Sequence, residues 1–300
     1  MIEKKGVIIS SFGGNFKVAA EDDKEYICKA RGSFRNKDIV PVCGDNVKFI
    51  IEDNSDGVIT EISERKNEII RPPLANLDQL VFVISTCEPA PNILLLDKFL
   101  SVSVYKNINP VIVFTKTDKY PADEYMRIYE NIFPTICVDN LTGEGVDKVY
   151  QLLTGKFSAF TGNSGAGKST LLNNICPDLN LETNEISRKL GRGKHTTRRV
   201  EIFRLENGGY VADTPGFSTF NTQMYDVILK DQLVFCFPEF EEHLDSCRFQ
   251  DCSHTKEKGC KIIEAVKDGL ISKSRHLSYC EMYREASLIK PWEIKNTTKR

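Results

Sequence analysis

Residues 1–70 alternate between apolar and polar positions in short runs, such as GVIISSF and NFKVAA. Turn-forming pairs separate these runs, for example at Gly13-Gly14 and at Asp56-Gly57. Because alternation with a period of two is typical of half-buried strands, the pattern predicts about five short strands in this region. A small closed barrel of either the OB-fold or the SH3-like type would accommodate them, and the pattern alone does not choose between the two.

A different pattern follows Pro72-Pro73, where continuous apolar runs alternate with segments of helical periodicity. The apolar runs are 79–85, 111–114, 134–138, 157–160 and 210–212, and the helical segments are 93–105, 123–132, 146–153 and one that begins after Gly167. Such alternation indicates βα units built around a parallel sheet. Beyond about residue 220 the strand pattern stops, and a mainly helical region is predicted. We therefore expect three domains, at residues 1–70, 71–220 and 221–300.

The segment between the run at 157–160 and the next helix reads GNSGAGKS, which is the G-x-x-x-x-G-K-S pattern of a phosphate-binding P-loop. Its glycines allow backbone N–H groups to close around phosphate oxygens, and the helix presents its N-terminus to the negative charge. Lys168 would reach the outer phosphates, and the Ser169 hydroxyl would bind Mg²⁺. The residues predicted to bind nucleotide here are Gly162, Asn163, Ser164, Gly165, Ala166, Gly167, Lys168, Ser169 and Thr170.

A second loop, Thr115-Lys116-Thr117-Asp118, directly follows the run at 111–114. In GTPases the corresponding loop is usually Asn-Lys-x-Asp, whose carboxylate accepts two N–H bonds from guanine. Thr115 departs from the usual Asn, but Asp118 is in place for the discriminating contact. After the run at 134–138, Asp139-Asn140 replaces the Ser-Ala pair of many such proteins, so any base contact there would come from the backbone.

A third loop, Asp213-Thr214-Pro215-Gly216, follows the run at 210–212. Asp213 is predicted to supply a second contact to Mg²⁺, and the Gly216 N–H is predicted to reach a γ-phosphate. Regulatory GTPases normally have the P-loop first, this loop second and the guanine loop last. Here the guanine loop comes first, so the sequence predicts a circularly permuted domain whose last switch leads directly into the C-terminal region.

Four metal-ligand side chains stand close together in the C-terminal region, in the pattern Cys-x₄-Cys-x-His-x₅-Cys. They are Cys247, Cys252, His254 and Cys260. Three thiolates and one imidazole make a complete tetrahedral set that leaves no position for water. This composition predicts one structural zinc ion rather than a catalytic one.

The composition is that of an ordinary globular protein, with 41% hydrophobic and 27% charged residues. No apolar run approaches the ~20 residues of a membrane span, and the N-terminus does not read as a signal peptide. We therefore expect a cytoplasmic protein with reduced thiols and no membrane contact. The 40 basic and 42 acidic residues nearly balance, but residues 188–199 contain six basic residues and no acid.

The combination of a β-barrel, a permuted GTPase and the Cys-x₄-Cys-x-His-x₅-Cys segment resembles the ribosome small-subunit-dependent GTPase family, called RsgA or YjeQ. The basic loop at residues 191–198, GRGKHTTR, is similar to a further signature of that family. The resemblance covers essentially the whole chain. It implies an N-terminal OB-fold and hydrolysis of GTP to GDP stimulated by the small ribosomal subunit during its late maturation. The implied partners are that subunit and its rRNA, and we expect the protein itself to be a monomer.

The resemblance also points to His195 as the group that orients the attacking water. Phe217 follows the third loop at the place where Ras-like proteins carry a glutamine, and a phenylalanine cannot polarise water. Thr196 or Thr197 beside His195 would act as the threonine that caps Mg²⁺. The predicted catalytic residues are thus His195, Lys168, Thr196 and Thr197.

Two other interpretations are compatible with the same motifs. The protein would be a nucleotide-sensing, RNA-binding scaffold with negligible turnover if its P-loop only reports nucleotide state. It would be an ATP-dependent kinase or ATPase if the base pocket took adenine, although Asp118 argues against this. Turnover in the presence of ribosomal subunits separates the first of these from a GTPase, and a comparison of GTP with ATP binding separates the second.

Overall fold

The computed structural model describes residues 2–32, 34, 39–51, 56–70, 72–177, 200–213 and 227–290. Thirteen strands and seven α-helices lie in these ranges. The strands are β1 Ile2–Phe12, β2 Asn15–Ala20, β3 Glu25–Ala30, β4 Asn46–Ile51, β5 Gly57–Ile62, β6 Glu68–Ile69, β7 Leu74–Ala75, β8 Gln79–Ser85, β9 Asn109–Thr115, β10 Thr135–Val138, β11 Phe157–Thr161, β12 Glu201–Arg204 and β13 Tyr210–Asp213. The helices are α1 Ile93–Tyr105, α2 Asp123–Tyr129, α3 Val146–Leu152, α4 Lys168–Ile175, α5 Lys230–Leu233, α6 Lys261–Lys267 and α7 Lys273–Ser287.

Strands β1 to β5 form a closed barrel, which confirms the predicted N-terminal β-barrel. β1 pairs with both β2 and β4, β2 pairs with β3, and β5 closes the ring between β3 and β4. All of these pairings are antiparallel except that of β3 with β5. The alternating apolar positions of the sequence point inward, and Ile8, Val18, Phe49 and Ile59 are fully buried. The barrel is OB-like.

The second part of the sheet has the strand order β10-β9-β8-β11-β13-β12. The first five of these strands are parallel to their neighbours, and β12 is antiparallel to β13. The apolar run of β8 is continuous because alternate residues of this strand pack into two different hydrophobic cores. Leu80 and Phe82 pack with α1, whereas Val81 and Val83 pack with α3 and α4. The prediction of a parallel sheet covered on both faces is confirmed.

Two pairings were not predicted from the sequence. β12 pairs with β1 at Ser10 and Glu201, so the barrel and the parallel sheet form one continuous sheet of eleven strands. The short strands β6 and β7 form a separate hairpin around the predicted Pro72-Pro73 boundary. Both features are too short to show a periodicity in the sequence.

Residues 227–290 contain helices and 3₁₀ turns and no strand. The 3₁₀ turns are Val234–Cys236 and Pro238–Ser246. A small apolar core that includes Phe237, Phe240 and Tyr279 holds this region together. It packs through α7 and the turn at Val234–Cys236 against α1 of the parallel sheet. Among the described residues, no helix is both long enough and apolar enough to span a membrane.

Candidate functional site

The predicted nucleotide loops meet at one edge of the parallel sheet. β9 ends at Thr115, β10 at Val138, β11 at Thr161 and β13 at Asp213, and these parallel strands all point the same way. Ligands of open α/β sheets bind in the crevice outside the carboxyl ends of the strands. The topology therefore brings residues 115–118, residues 162–170 and Asp213 to a single edge, as a nucleotide site requires.

The phosphate-binding loop has the backbone geometry that its glycines permit. Gly165 and Gly167 adopt φ values of +80° and +87°, in the left-handed region that favours glycine. Gly162 lies so close to β8 that a Cβ atom there would be 2.3 Å from the Val83 carbonyl oxygen. α4 begins at Lys168, so Lys168, Ser169 and Thr170 occupy its first turn and are partly exposed. The loop thus positions the N-terminus of α4 and the side chain of Lys168 next to each other, where phosphate is predicted to bind.

Two side-chain hydrogen bonds join the predicted guanine side of the site to the phosphate-binding loop. Thr115 is fully buried, and its Oγ1 donates to the Ala166 carbonyl at 2.5 Å. Asn140 Nδ2 donates to the Gly167 carbonyl at 3.2 Å. The threonine that departs from the usual asparagine therefore fixes the position of the phosphate-binding loop. Sequence reasoning did not assign this role to Thr115 or Asn140, because it depends on which strands are neighbours.

The predicted base-reading residue projects from a tight turn after β9. Lys116 adopts a φ of +59°, and its carbonyl accepts hydrogen bonds from the Lys119 and Tyr120 N–H groups at 3.0 and 3.3 Å. The Lys116 ammonium group donates to the Glu88 carbonyl in the loop after β8. Asp118 lies at the exposed apex of this turn, where its carboxylate is accessible to a base.

The Asp139 carboxylate is engaged in its own loop. It accepts hydrogen bonds from the Leu141 N–H at 2.8 Å and from Thr142 Oγ1 at 2.9 Å. These bonds lower the pKa of Asp139 below its usual value, and the bond from the Leu141 N–H has the largest effect. A side chain held in this way supports the expectation that any base contact from this segment comes from the backbone.

The remaining predicted residues lie outside the described ranges. They are His195, Thr196, Thr197, Gly216 and Phe217, together with the basic run at 188–199. Their assigned roles stay predictions.

The four predicted metal ligands converge in space. The ligand atoms of Cys247, Cys252, His254 and Cys260 all lie within 4.8 Å of one another. The Sγ atoms of Cys247 and Cys260 are 3.9 Å apart, and each is 3.5 Å from His254 Nδ1. Sulfur ligands at the usual distance from a tetrahedral zinc ion are about 3.8 Å apart, so the spacing fits such an ion.

Burial affects the protonation of two of the clustered ligands. Burial raises the pKa of the Cys252 thiol to about 12, so this thiol stays protonated at neutral pH unless a positive charge is close. Burial lowers the pKa of His254, which keeps its imidazole neutral and its lone pair available. A divalent metal ion satisfies both groups, because it stabilises the thiolate and accepts the imidazole lone pair.

A layer of hydrogen bonds from α7 supports the cluster. The Tyr279 hydroxyl donates to the Ser253 carbonyl at 3.0 Å, and His276 Nε2 lies 2.8 Å from the His254 carbonyl oxygen. The sequence analysis did not identify this layer. The sequence feature that could have indicated it is the spacing of His276 and Tyr279, which are three residues apart and lie on one face of a helix.

Comparisons with known proteins cover nearly the whole chain. The sequence model of the RsgA GTPase matches residues 62–223, and that of the RsgA N-terminal domain matches residues 5–59. A protein of Streptococcus pneumoniae named small ribosomal subunit biogenesis GTPase RsgA is 42% identical over 281 residues, which are 94% of each chain. A protein of Geobacillus sp. with the same name is 42% identical over 294 residues, which are 96% of this chain and 99% of the relative.

Solved structures agree with the sequence comparisons. The crystal structure of YjeQ from Thermotoga maritima superposes with a TM-score of 0.83 at 32% identity, over 96% of this chain and all of that one. The crystal structure of YloQ, described as a circularly permuted GTPase, superposes with a TM-score of 0.79 at 32% identity over 97% of both chains. An OB-like barrel, a permuted order of nucleotide loops and a Cys/His cluster therefore occur together in a chain that belongs to the RsgA family of circularly permuted GTPases.

Proposed function

We propose that this protein hydrolyses GTP to GDP and phosphate in the biogenesis of the small ribosomal subunit. The names of its relatives and the extent of the similarity support this role. The observation that carries it is the direct bonding of the two base-side segments to the phosphate-binding loop, from Thr115 to Ala166 and from Asn140 to Gly167. A protein with these bonds holds the base-reading turn and the phosphate-binding loop in fixed relation, as recognition of one whole nucleotide requires.

Each nucleotide-binding residue has a specific task in this proposal. The N–H groups of residues 162–167 and the Lys168 ammonium group bind the phosphates, and the Asp118 carboxylate accepts the two guanine N–H bonds. Ser169, in the first turn of α4, and Asp213, at the end of β13, are the residues that would hold Mg²⁺. When bound, this ion neutralises charge on the phosphate oxygens. His195 orients the attacking water, and either Thr196 or Thr197 completes the Mg²⁺ site.

We assign structural zinc to the cluster of Cys247, Cys252, His254 and Cys260. Its support is the agreement of the ligand distances with a tetrahedral ion and the complete Cys₃His donor set. Such a site leaves no coordination position for substrate. The metal accordingly stabilises the C-terminal region and takes no part in GTP hydrolysis.

The small subunit and its rRNA are the proposed partners, and the cytoplasm is the proposed compartment. The acid-free basic run at residues 188–199 can approach rRNA phosphates without local repulsion. Contacts of this type release counterions, so binding should weaken steeply as salt is raised. We propose that the protein acts there as a monomer.

Asp118→Asn is expected to shift base preference from guanine towards xanthine. The amide presents one donor where the carboxylate presents only acceptors, and it loses a charge-assisted interaction that is worth about 1.5–3 kcal/mol. Competition of GTP, XTP and ATP against a fluorescent guanine nucleotide measures the effect. Guanine affinity should fall by about tenfold or more while XTP becomes a better competitor.

Lys119→Ala in the same turn is the matched control, because its side chain is exposed and lies outside the predicted guanine loop, and it should keep the wild-type order of nucleotides. If Asp118→Asn retained full guanine preference, Asp118 would not read the base. If wild-type protein preferred ATP, the guanine assignment itself would be wrong.

A further inference from the structure

A fully buried arginine joins the C-terminal region to the parallel sheet. Arg275 of α7 is 0% exposed, and its Nη1 donates to Asp97 Oδ1 of α1 at 2.7 Å. Its Nε and Nη2 donate to the two carboxylate oxygens of Glu239 at 2.7 and 3.2 Å. The guanidinium carbon lies 4.4 Å from the centre of the Phe237 ring. One cation on α7 therefore binds both α1 and the segment Phe237–Glu239 at the start of the second 3₁₀ turn.

The acidic partner on α1 is also completely enclosed. Asp97 is 0% exposed, and its Oδ1 accepts a second hydrogen bond from the Tyr129 hydroxyl of α2 at 2.9 Å. Burial raises the pKa of Asp97, and the charge of Arg275 opposes that effect. Removing one member of a buried pair leaves the other charge without compensation. Loss of either partner is therefore costly, unlike the loss of one partner of an exposed ion pair.

The same helix lies beside the phosphate-binding loop. Asn92 caps α1 by accepting the Leu95 N–H at 3.0 Å. Leu95, Leu96 and Phe99 line a partly open cavity of about 30 Å³, and Gly162, Asn163 and Ala166 of the phosphate-binding loop line the same cavity.

Asp97 stands between these lining residues on one continuous helix. A helix rises about 1.5 Å per residue. Asp97 is therefore about 3 Å along the helix axis from Leu95 and from Phe99, and about 8 Å from the capping residue Asn92. The helix and the loop share the lining of this cavity, so a shift of α1 at Asp97 would change the packing beside the phosphate-binding loop.

We propose that Arg275 is a positioning residue for nucleotide binding and turnover, which it controls by holding α1 through Asp97 against the phosphate-binding loop. The proposal rests on the GTPase function proposed above. It makes the C-terminal region part of the nucleotide machinery, because loosening of α7 would free α1 to shift beside the phosphate-binding loop. A partner that pulls on the C-terminal region would act on bound nucleotide by this route.

Arg275→Lys in the full chain tests the proposal, because lysine keeps the charge but cannot bind Asp97 and Glu239 with a planar fork. Two rate constants are measured: dissociation of a fluorescent GDP analogue, and single-turnover hydrolysis of GTP with small subunits present. Dissociation of GDP should become about tenfold faster and hydrolysis of GTP about tenfold slower. Changes of this size are within the range that residues linking two sites produce. Asp97→Asn should have the same effect, and the double variant should be no worse than either single one.

Glu285→Gln is the matched control, since it breaks the partly exposed Lys98–Glu285 pair between the same two helices, 2.7 Å long, and leaves Arg275 and Asp97 in place. Water still reaches the Glu285 carboxylate, which is 44% exposed, so both rate constants should stay within about twofold of wild type. Zinc content and the unfolding temperature are recorded for each variant to show that it is folded. A purely structural role would lower the unfolding temperature of Arg275→Lys and leave both rate constants at the control values.

The proposal is overturned if folded Arg275→Lys and folded Asp97→Asn match Glu285→Gln in both rate constants. If Arg275→Lys does not fold, Asp97→Asn alone decides the question. If wild-type protein does not hydrolyse GTP, the proposed function fails, but GDP dissociation still tests the link between Arg275 and the phosphate site.

Discussion

Cys260→Ser is expected to abolish zinc binding and to unfold much of the C-terminal region. Cys260 is 1% exposed and immediately precedes α6, and its Sγ lies 3.9 Å from Cys247 Sγ. A serine hydroxyl is not a usual zinc ligand, so the set would be left with three donors. Structural zinc supplies about 10–16 kcal/mol of apparent binding free energy in small zinc domains, and this is also folding free energy. Zinc content should fall from about one ion per chain to nearly none.

Cys280→Ser serves as the control for this experiment. Cys280 is half-buried on α7 and 3.7 Å from His276 Nε2, but it is not one of the clustered ligands. It should retain full zinc content. Hydrogen exchange resolved along the chain would show protection lost at residues 247–287 in Cys260→Ser and retained across β8, β9 and β11 in both variants. A folded, zinc-free Cys260→Ser with wild-type protection would mean that the cluster is not a structural metal site.

His195→Ala is expected to remove most of the GTP hydrolysis that small subunits stimulate while leaving GTP affinity nearly unchanged. The residue after Gly216 is Phe217, which cannot orient water, so that task falls to another group. Loss of a side chain that positions or deprotonates the attacking water typically costs about 10²–10⁴ in rate. In the proposed site Lys168, Ser169 and Asp118 bind GTP in its ground state, so the dissociation constant for GTP should change by less than about threefold.

Lys194→Ala distinguishes a catalytic His195 from a loop that only binds rRNA. Removal of this neighbouring cation should weaken binding to the subunit and reduce its salt dependence, but the rate at saturating subunits should stay near wild type. His195→Ala should remain slow at saturation. If both variants reached the wild-type rate at saturation, the catalytic assignment of His195 would be wrong, and the loop would serve as an rRNA contact only.

The periodicity of the sequence was sufficient to predict the barrel and the parallel sheet. The helix predicted at 93–105 and the strand predicted at 79–85 coincide with α1 and β8. The helical segment is long enough to show its period, and the strand is a continuous apolar run because both faces of β8 are buried. β12 has only four residues, and its position between β13 and β1 depends on the assembled sheet.

Local spacing identified the chemical groups but not the contacts that hold them. The metal ligands lie within fourteen residues of each other, so their convergence could be expected from the sequence. The bond from Thr115 to Ala166 spans 51 positions, and the pair of Arg275 and Asp97 spans 178. No local sequence pattern predicts contacts between residues that are so far apart along the chain. An arginine within a helix is ordinarily exposed, and only the packing of α7 on α1 makes this one buried.

Hydrolysis of GTP by the wild-type protein, with and without purified small ribosomal subunits, tests the central claim most directly. Phosphate release should be slow for the protein alone, because Phe217 stands where Ras-like proteins carry the water-orienting glutamine, and it should rise by at least about tenfold when small subunits are added. Large subunits at the same concentration and salt are the control, and they should give little stimulation. Hydrolysis that stayed at the basal rate with saturating small subunits would contradict a subunit-dependent GTPase and would favour a nucleotide-sensing scaffold.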